Sequence, residues 1–154
     1  MTISRTLAGL TLAATATLAA TALFTPAAQA SAGWGPHHAP GRGATAAGTL
    51  SATGEDHADL PTADLVRIKG KVSDNTRGGS CGYAVFRITY RSGSELPFRH
   101  HTVRDCSYRT PKEFSFKYRD VYQVELKVCA EGKAAKPSLT CLYAGTWKTL
   151  YLSK

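Results

Sequence analysis

No cysteine occurs in the first 80 residues of this 154-residue chain; all four, Cys81, Cys106, Cys129 and Cys141, fall in the last 74. Their separations of 25, 23 and 12 contain no C-x-x-C, which excludes the usual tetrathiolate zinc spacing. Helix signals are missing as well: no capping box opens an i, i+3, i+4 apolar stripe. No glycine-rich loop leads into a helix, so nucleotide binding has no support. Ser80 and Ser107 neighbour cysteines but lie in no nucleophile elbow. No cofactor is implied.

What is present at the start reads as an export leader over residues 1–30. One cation, Arg5, precedes a long apolar stretch diluted by Thr and Ala, and Ala28-Gln29-Ala30 supplies the small-x-small site of a signal peptidase. Pro26 and the absence of a basic stop-transfer cluster argue against a membrane anchor. A single arginine makes no twin-arginine signal, and no cysteine follows the site to be lipidated. The expectation is a secreted, extracellular protein starting near Ser31, with no membrane span after cleavage. Residues 31–63 are rich in Gly, Ala, Pro, Thr and His, and Trp34, Leu50 and Leu60 show no period. Such a segment buries too little to offset a chain entropy of ~1–2 kcal/mol per residue, and reads as a disordered spacer. His37, His38 and His57 lack the third spaced ligand of a metal site.

Residues 64–154 form one domain whose apolar period is two. Val66, Ile68 and Val72 alternate with Arg67, Lys69 and Lys71; Ala84, Phe86 and Ile88 with Arg87 and Thr89; Phe114 and Phe116 with Ser115 and Lys117; Val124, Leu126 and Val128 with Glu125 and Lys127. Such alternation indicates antiparallel sheets with one solvated face. The fold class is therefore all-β: a small antiparallel β-sandwich, immunoglobulin-like or similar, of about six or seven strands with two disulfides. A three-residue loop at 119–121 would set Phe116 opposite Val124 in a hairpin. A last strand over 140–152 would carry Tyr143, Trp147 and Tyr151 on one parity, either as an exposed aromatic strip or as a buried or dimerising strand.

Near 90 residues, disulfides are a physical expectation. Pairing Cys81 with Cys106 sets Ala84 opposite Val103 and Phe86 opposite His101; pairing Cys129 with Cys141 sets Val128 opposite Leu142. Both align apolar faces, and neither leaves a free thiol.

Seventeen Lys and Arg lie at or after Arg67 against eight acids from Asp64 onward, giving this domain about +9. Arg67, Lys69, Lys71, Arg87, Arg91, Lys117 and Lys127 take outward parity. If the strands bearing Val66, Phe86 and Leu126 share a sheet, those cations form one patch suited to an anionic polymer or a cell-envelope component. The plain alternative is a solubilising surface. Lys133 and Lys136, between Cys129 and Cys141, could present a loop to an extracellular protease. His100, His101, Glu113, Glu125 and Arg104 could assemble a ribonuclease-like acid–base set, although no spacing singles out a pair and His101 points inward. The reading is a monomeric or weakly dimeric secreted protein that binds rather than catalyses. Anionic polymer or cell envelope is the leading partner, protease inhibition the alternative and hydrolysis the third.

Overall fold

The computed structural model describes residues 31–154; the leader expected over residues 1–30 lies outside them. Eight antiparallel strands carry the fold: β1 (Ser31–His38), β2 (Ala44–Glu55), β3 (Ala63–Asp74), β4 (Ser80–Tyr90), β5 (Phe98–Asp105), β6 (Lys112–Tyr118), β7 (Val121–Gly132) and β8 (Lys148–Leu152). A five-residue helix, α1 (Leu139–Tyr143), interrupts the last connection. All strands join one hydrogen-bonded sheet in the order β1-β2-β3-β7-β4-β5, with β6 added on β3 and β8 on β7. β3 reaches β7 only through Ala63 opposite Val121. The sheet folds over at that bridge, so the half β1-β2-β3-β6 packs on the half β5-β4-β7-β8. Phe86 of β4 marks the centre: its ring lies 5.8 Å from Trp34 of β1, 5.5 Å from Phe114 and 5.0 Å from Phe116 of β6. The all-β class and both disulfides, Cys81–Cys106 and Cys129–Cys141, stand as expected.

The expected spacer over residues 31–63 is corrected: it supplies β1 and β2, which raises the strand count to eight. β2 alternates after all, with Ala44, Ala46 and Leu50 buried, but its small side chains hide the period. The missing volume comes from Trp34. Gly48 and Gly70 pair across β2 and β3, in register with Trp34 on one side and Phe114 on the other. A Cβ on Gly48 would sit 2.6 Å from Trp34 Cζ2, and one on Gly70 at 3.0 Å. Two glycines thus make a slot that the indole fills, with Phe114 stacked 6.3 Å away. Burying an indole contributes about 4–6 kcal/mol at ~25 cal/mol per Å², enough with the β3 ladder to order both strands.

Two pairings also differ from expectation. Phe116 lies opposite Ile68 of β3, not Val124, because Arg119-Asp120 turns the chain between halves instead of closing a hairpin. Asp120 takes φ 52° there, which Asp tolerates better than most residues. Phe114 and Phe116 still enter the core that Val124 and Leu126 enter, from the opposite side. Beyond β7, the expected strand over 140–152 begins as α1. Ser138 caps it by accepting from the Cys141 N–H at 3.1 Å, which turns Cys141 toward Cys129. Val128 therefore does not meet Leu142; β8 pairs β7 through Leu126–Lys148 and Val124–Tyr151. The aromatic strip is dispersed. Tyr143 is exposed, Trp147 packs on Arg87 and Lys127, and the Tyr151 hydroxyl donates to Glu55 at 2.5 Å.

Candidate functional site

The outward parity of β3 carries Arg67, Lys69 and Lys71, all exposed, at intervals of about 7 Å along one strand. Antiparallel register extends each into a cross-strand row. Ser31, Ser51, Arg67 and Lys117 form one row; Gly33, Thr49, Lys69 and Ser115 the next; Ala47, Lys71 and Glu113 the third. β1 and β2 thus supply a low floor of small and hydroxylated side chains beside a ladder of cations. Two depressions, of about 740 and 400 Å³, adjoin at Thr49 and Lys69 and together run as a groove across these strands. Among the described residues the ion pairs are Arg87–Glu125 and Arg91–Asp56. Arg67, Lys69, Lys71 and Lys117 are therefore uncompensated apart from Glu113 at one end of the groove.

The remaining three cations of the expected patch do not join this face, because β4 and β7 belong to the opposite half. Arg87 holds Glu125 at 2.6 Å and lies 4.6 Å over the Trp147 ring. Lys127 is only 8% exposed; its Nζ donates to the carbonyls of Leu142 and Gly145 at 3.3 and 3.4 Å. Burial pushes its pKa down, with Arg87 adding to the effect. Glu125, expected in solvent, is buried beneath the same cover. Arg91 pairs with Asp56 at 2.6 Å and donates to the Leu60 carbonyl, tying the β2–β3 connection to the end of β4. The Thr62 N–H and Arg91 hold Asp56 down at about 2. The seven outward cations thus split into a free group of four and a structural group of three.

The acid–base residues are scattered likewise. His101 stacks on Phe116 at 3.8 Å and shares a hydrogen bond with the Tyr118 hydroxyl, as an inward histidine should. His100 stacks on Trp147 at 5.6 Å. Burial lowers the pKa of both, helped at His100 by Arg87. Glu113 lies on the far outer face. His100, Arg87 and Glu125 do share a row, but Glu125 is engaged by Arg87, and Trp147 covers both His100 and Arg87. No group of three metal-ligating side chains occurs among the described residues. His38 instead bonds Thr45, and His57 bonds the Lys154 carbonyl.

The loop between Cys129 and Cys141 exposes Lys133 and Lys136 and is firmly braced. The Tyr83 hydroxyl donates to the Ala134 carbonyl at 2.9 Å and accepts from the Ala134 N–H at 3.1 Å. Arg104 donates to the same carbonyl. The Lys133 N–H donates to Gly79 at 2.9 Å. A protease cleft binds extended backbone by strand-like hydrogen bonds. The N–H groups of Lys133 and Ala134 are already engaged, and Lys136 precedes Pro137, which has none. Rigidity favours an inhibitor loop here; the occupied backbone counts against it.

Sequence reasoning missed the floor of the groove: Ser31, Ala47, Thr49 and Ser51 fall in the segment read as disordered. The signal available was the alternation of Ala44, Ala46, Leu50 and Ala52 with Thr45, Thr49, Ser51 and Thr53. Fold and groove together define the class: a two-disulfide antiparallel β-sandwich with one bare cationic face. Comparison with protein-family models, curated proteins and solved structures finds no match to the chain. Among the described residues no helix is long and apolar enough to cross a membrane.

Proposed function

We propose that this is a secreted, non-catalytic binding protein whose β1-β2-β3-β6 face holds an anionic polymer of the cell envelope or its surroundings. The observation that supports this reading is the ladder Arg67, Lys69 and Lys71 with Lys117 beside it, exposed along an open groove and free of ion pairs among the described residues. A single row of like charges repeating every ~7 Å suits an extended chain whose anions recur on a similar scale better than it suits a small ligand. Two disulfides are in keeping with an oxidising, extracellular compartment.

The test is binding to an anionic polymer across a salt series. Each cation that displaces a condensed counterion contributes about 0.7–0.9 to the slope of log K against log salt. The variant carrying Arg67→Gln, Lys69→Gln, Lys71→Gln and Lys117→Gln should lose about three in slope and most of the affinity at low salt. A parallel variant with Arg87→Gln and Arg91→Gln should keep the slope. Salt-insensitive binding, or equal slopes for the two variants, overturns the reading.

A further inference from the structure

We infer that the polymer held on this face is a polyhydroxylated one, a glycan or polyol chain bearing an anion on its repeating unit, and not a nucleic acid; this rests on the function proposed above. The argument is what the three rows contain besides charge. Ser31 and Ser51 stand beside Arg67, and Thr49 and Ser115 flank Lys69 in the next row. A hydroxyl is both donor and acceptor, and so matches the hydroxyls of a sugar or polyol, whereas Lys and Arg can only donate. Gly33 and Ala47 keep the floor low, so a chain lying across the face can reach these hydroxyls and the cations together.

Equally telling is what the rows lack. Sequence-tolerant binding of single-stranded nucleic acid uses aromatic platforms on which bases stack. Among the described residues no row of this face contains an aromatic side chain, and Phe114, which lines one depression of the groove, turns its ring inward onto Trp34 and Phe86. Trp34, Phe114, Phe116 and Tyr118 occupy the alternate positions of the same strands, and Trp34, Phe114 and Phe116 pack against Phe86 inside the sandwich. Reading the major groove of a duplex takes a helix or a two-stranded ribbon narrow enough to enter it, and this face is the broad surface of a sheet. Phosphate attraction alone would remain for RNA or DNA.

The experiment compares heparin, poly(glycerol phosphate) and polyuridylate at one ionic strength, using the parent and a Thr49→Val, Ser51→Ala double variant. The first two probes separate a sulfated sugar from a phosphodiester polyol as the source of the shared chemistry. The expected result is that at least one of them binds the parent at least tenfold more tightly than polyuridylate. The double variant should lose about tenfold for that polymer, since it removes two hydroxyls that hydrogen-bond to it. Its residual polyuridylate binding should stay within twofold, which also reports an intact face. Equal affinity for all three polymers, or a double variant that binds every polymer like the parent, overturns this inference while leaving the polyanion reading standing. Absence of binding to all three overturns both.

Discussion

On the outer face of the β1-β2-β3-β6 half, Lys69 stands exposed between Thr49 and Ser115. On the outer face of the β5-β4-β7-β8 half, Lys127 occupies the same outward parity, opposite Val85 and one row from Arg87, and is 8% exposed. Both lysines come from alternating strands with Val, Ile or Leu on the inward side. The difference is made by the segment from Lys133 to Trp147, which Cys129–Cys141 pins over the second face. Beneath it Tyr83, Val85 and the two disulfides form a satellite core joined by Leu142 and Trp147. Under that cover a cation becomes structural: Lys127 ties down two carbonyls and Arg87 neutralises a buried carboxylate. With no such cover, the cations of β3 have only solvent or a ligand to answer them. Outward parity therefore identifies which charges leave the main core, but not which remain available to a partner.

The sharpest way to break this contrast is at the bare half, which depends on Trp34 to hold β1 and β2 in place. Trp34→Ala should cost about 3–5 kcal/mol in denaturant unfolding and abolish the groove. Trp34→Phe should cost much less, because the indole Nε1 has no hydrogen-bond partner among the described residues and packing holds the ring. A Trp34→Ala protein as stable as its parent would return residues 31–55 to the status of a spacer.

At the covered half the staple is the point of attack. Replacing Cys129 and Cys141 together with Ala should destabilise by about 3 kcal/mol on the chain-entropy estimate for a short loop. Amide exchange should then quicken first in residues 133–147, ahead of β4 and β7. Uniform acceleration would mean that the segment is an integral part of the sandwich and not a cover laid over it.

The smallest effect is the most direct comparison of the two lysines. Lys127→Ala leaves the Leu142 and Gly145 carbonyls short of a donor and removes a stem packed on Trp147, a loss of about 1–3 kcal/mol. Lys69→Ala should change stability by less than about 0.5 kcal/mol. Equal melting temperatures for the two variants would erase the distinction between a structural and a free cation.

Several features were legible in the chain because they depend on short-range regularities. The period of two in β3, β4, β6 and β7 identified the strands and their inward residues. The register of β4 on β5 followed from the Cys81–Cys106 bridge, with Ala84 opposite Val103 as expected. β1 and β2 escaped because, Trp34 apart, their inward positions hold Ala, Gly and Leu, so no repeating contrast in hydropathy marks them. Their order is a tertiary product: the Gly48–Gly70 slot exists only once β2 lies beside β3, and Trp34 has nothing to fill until then. For the candidate site, Arg67, Lys69, Lys71 and Lys117 were named from parity alone, whereas their separation from Arg87, Arg91 and Lys127 required knowing which strands are neighbours.

By itself, then, the sequence determined the class of structure, the inward and outward faces of most strands, the two disulfides and the excess of positive charge. Each of these follows from residue type and spacing within one strand or between cysteines. The tertiary structure alone decided that β6 joins β3 and not β7, that α1 replaces the start of the last strand, and that one charged face is covered while the other is bare. The physical reason is degeneracy. Phe114 and Phe116 enter the same core whichever edge β6 joins, and an outward lysine has the same alternation pattern whether solvent or another segment lies above it. Local pattern leaves such alternatives equal in energy, and only the packing of the two halves and their covering segment separates them.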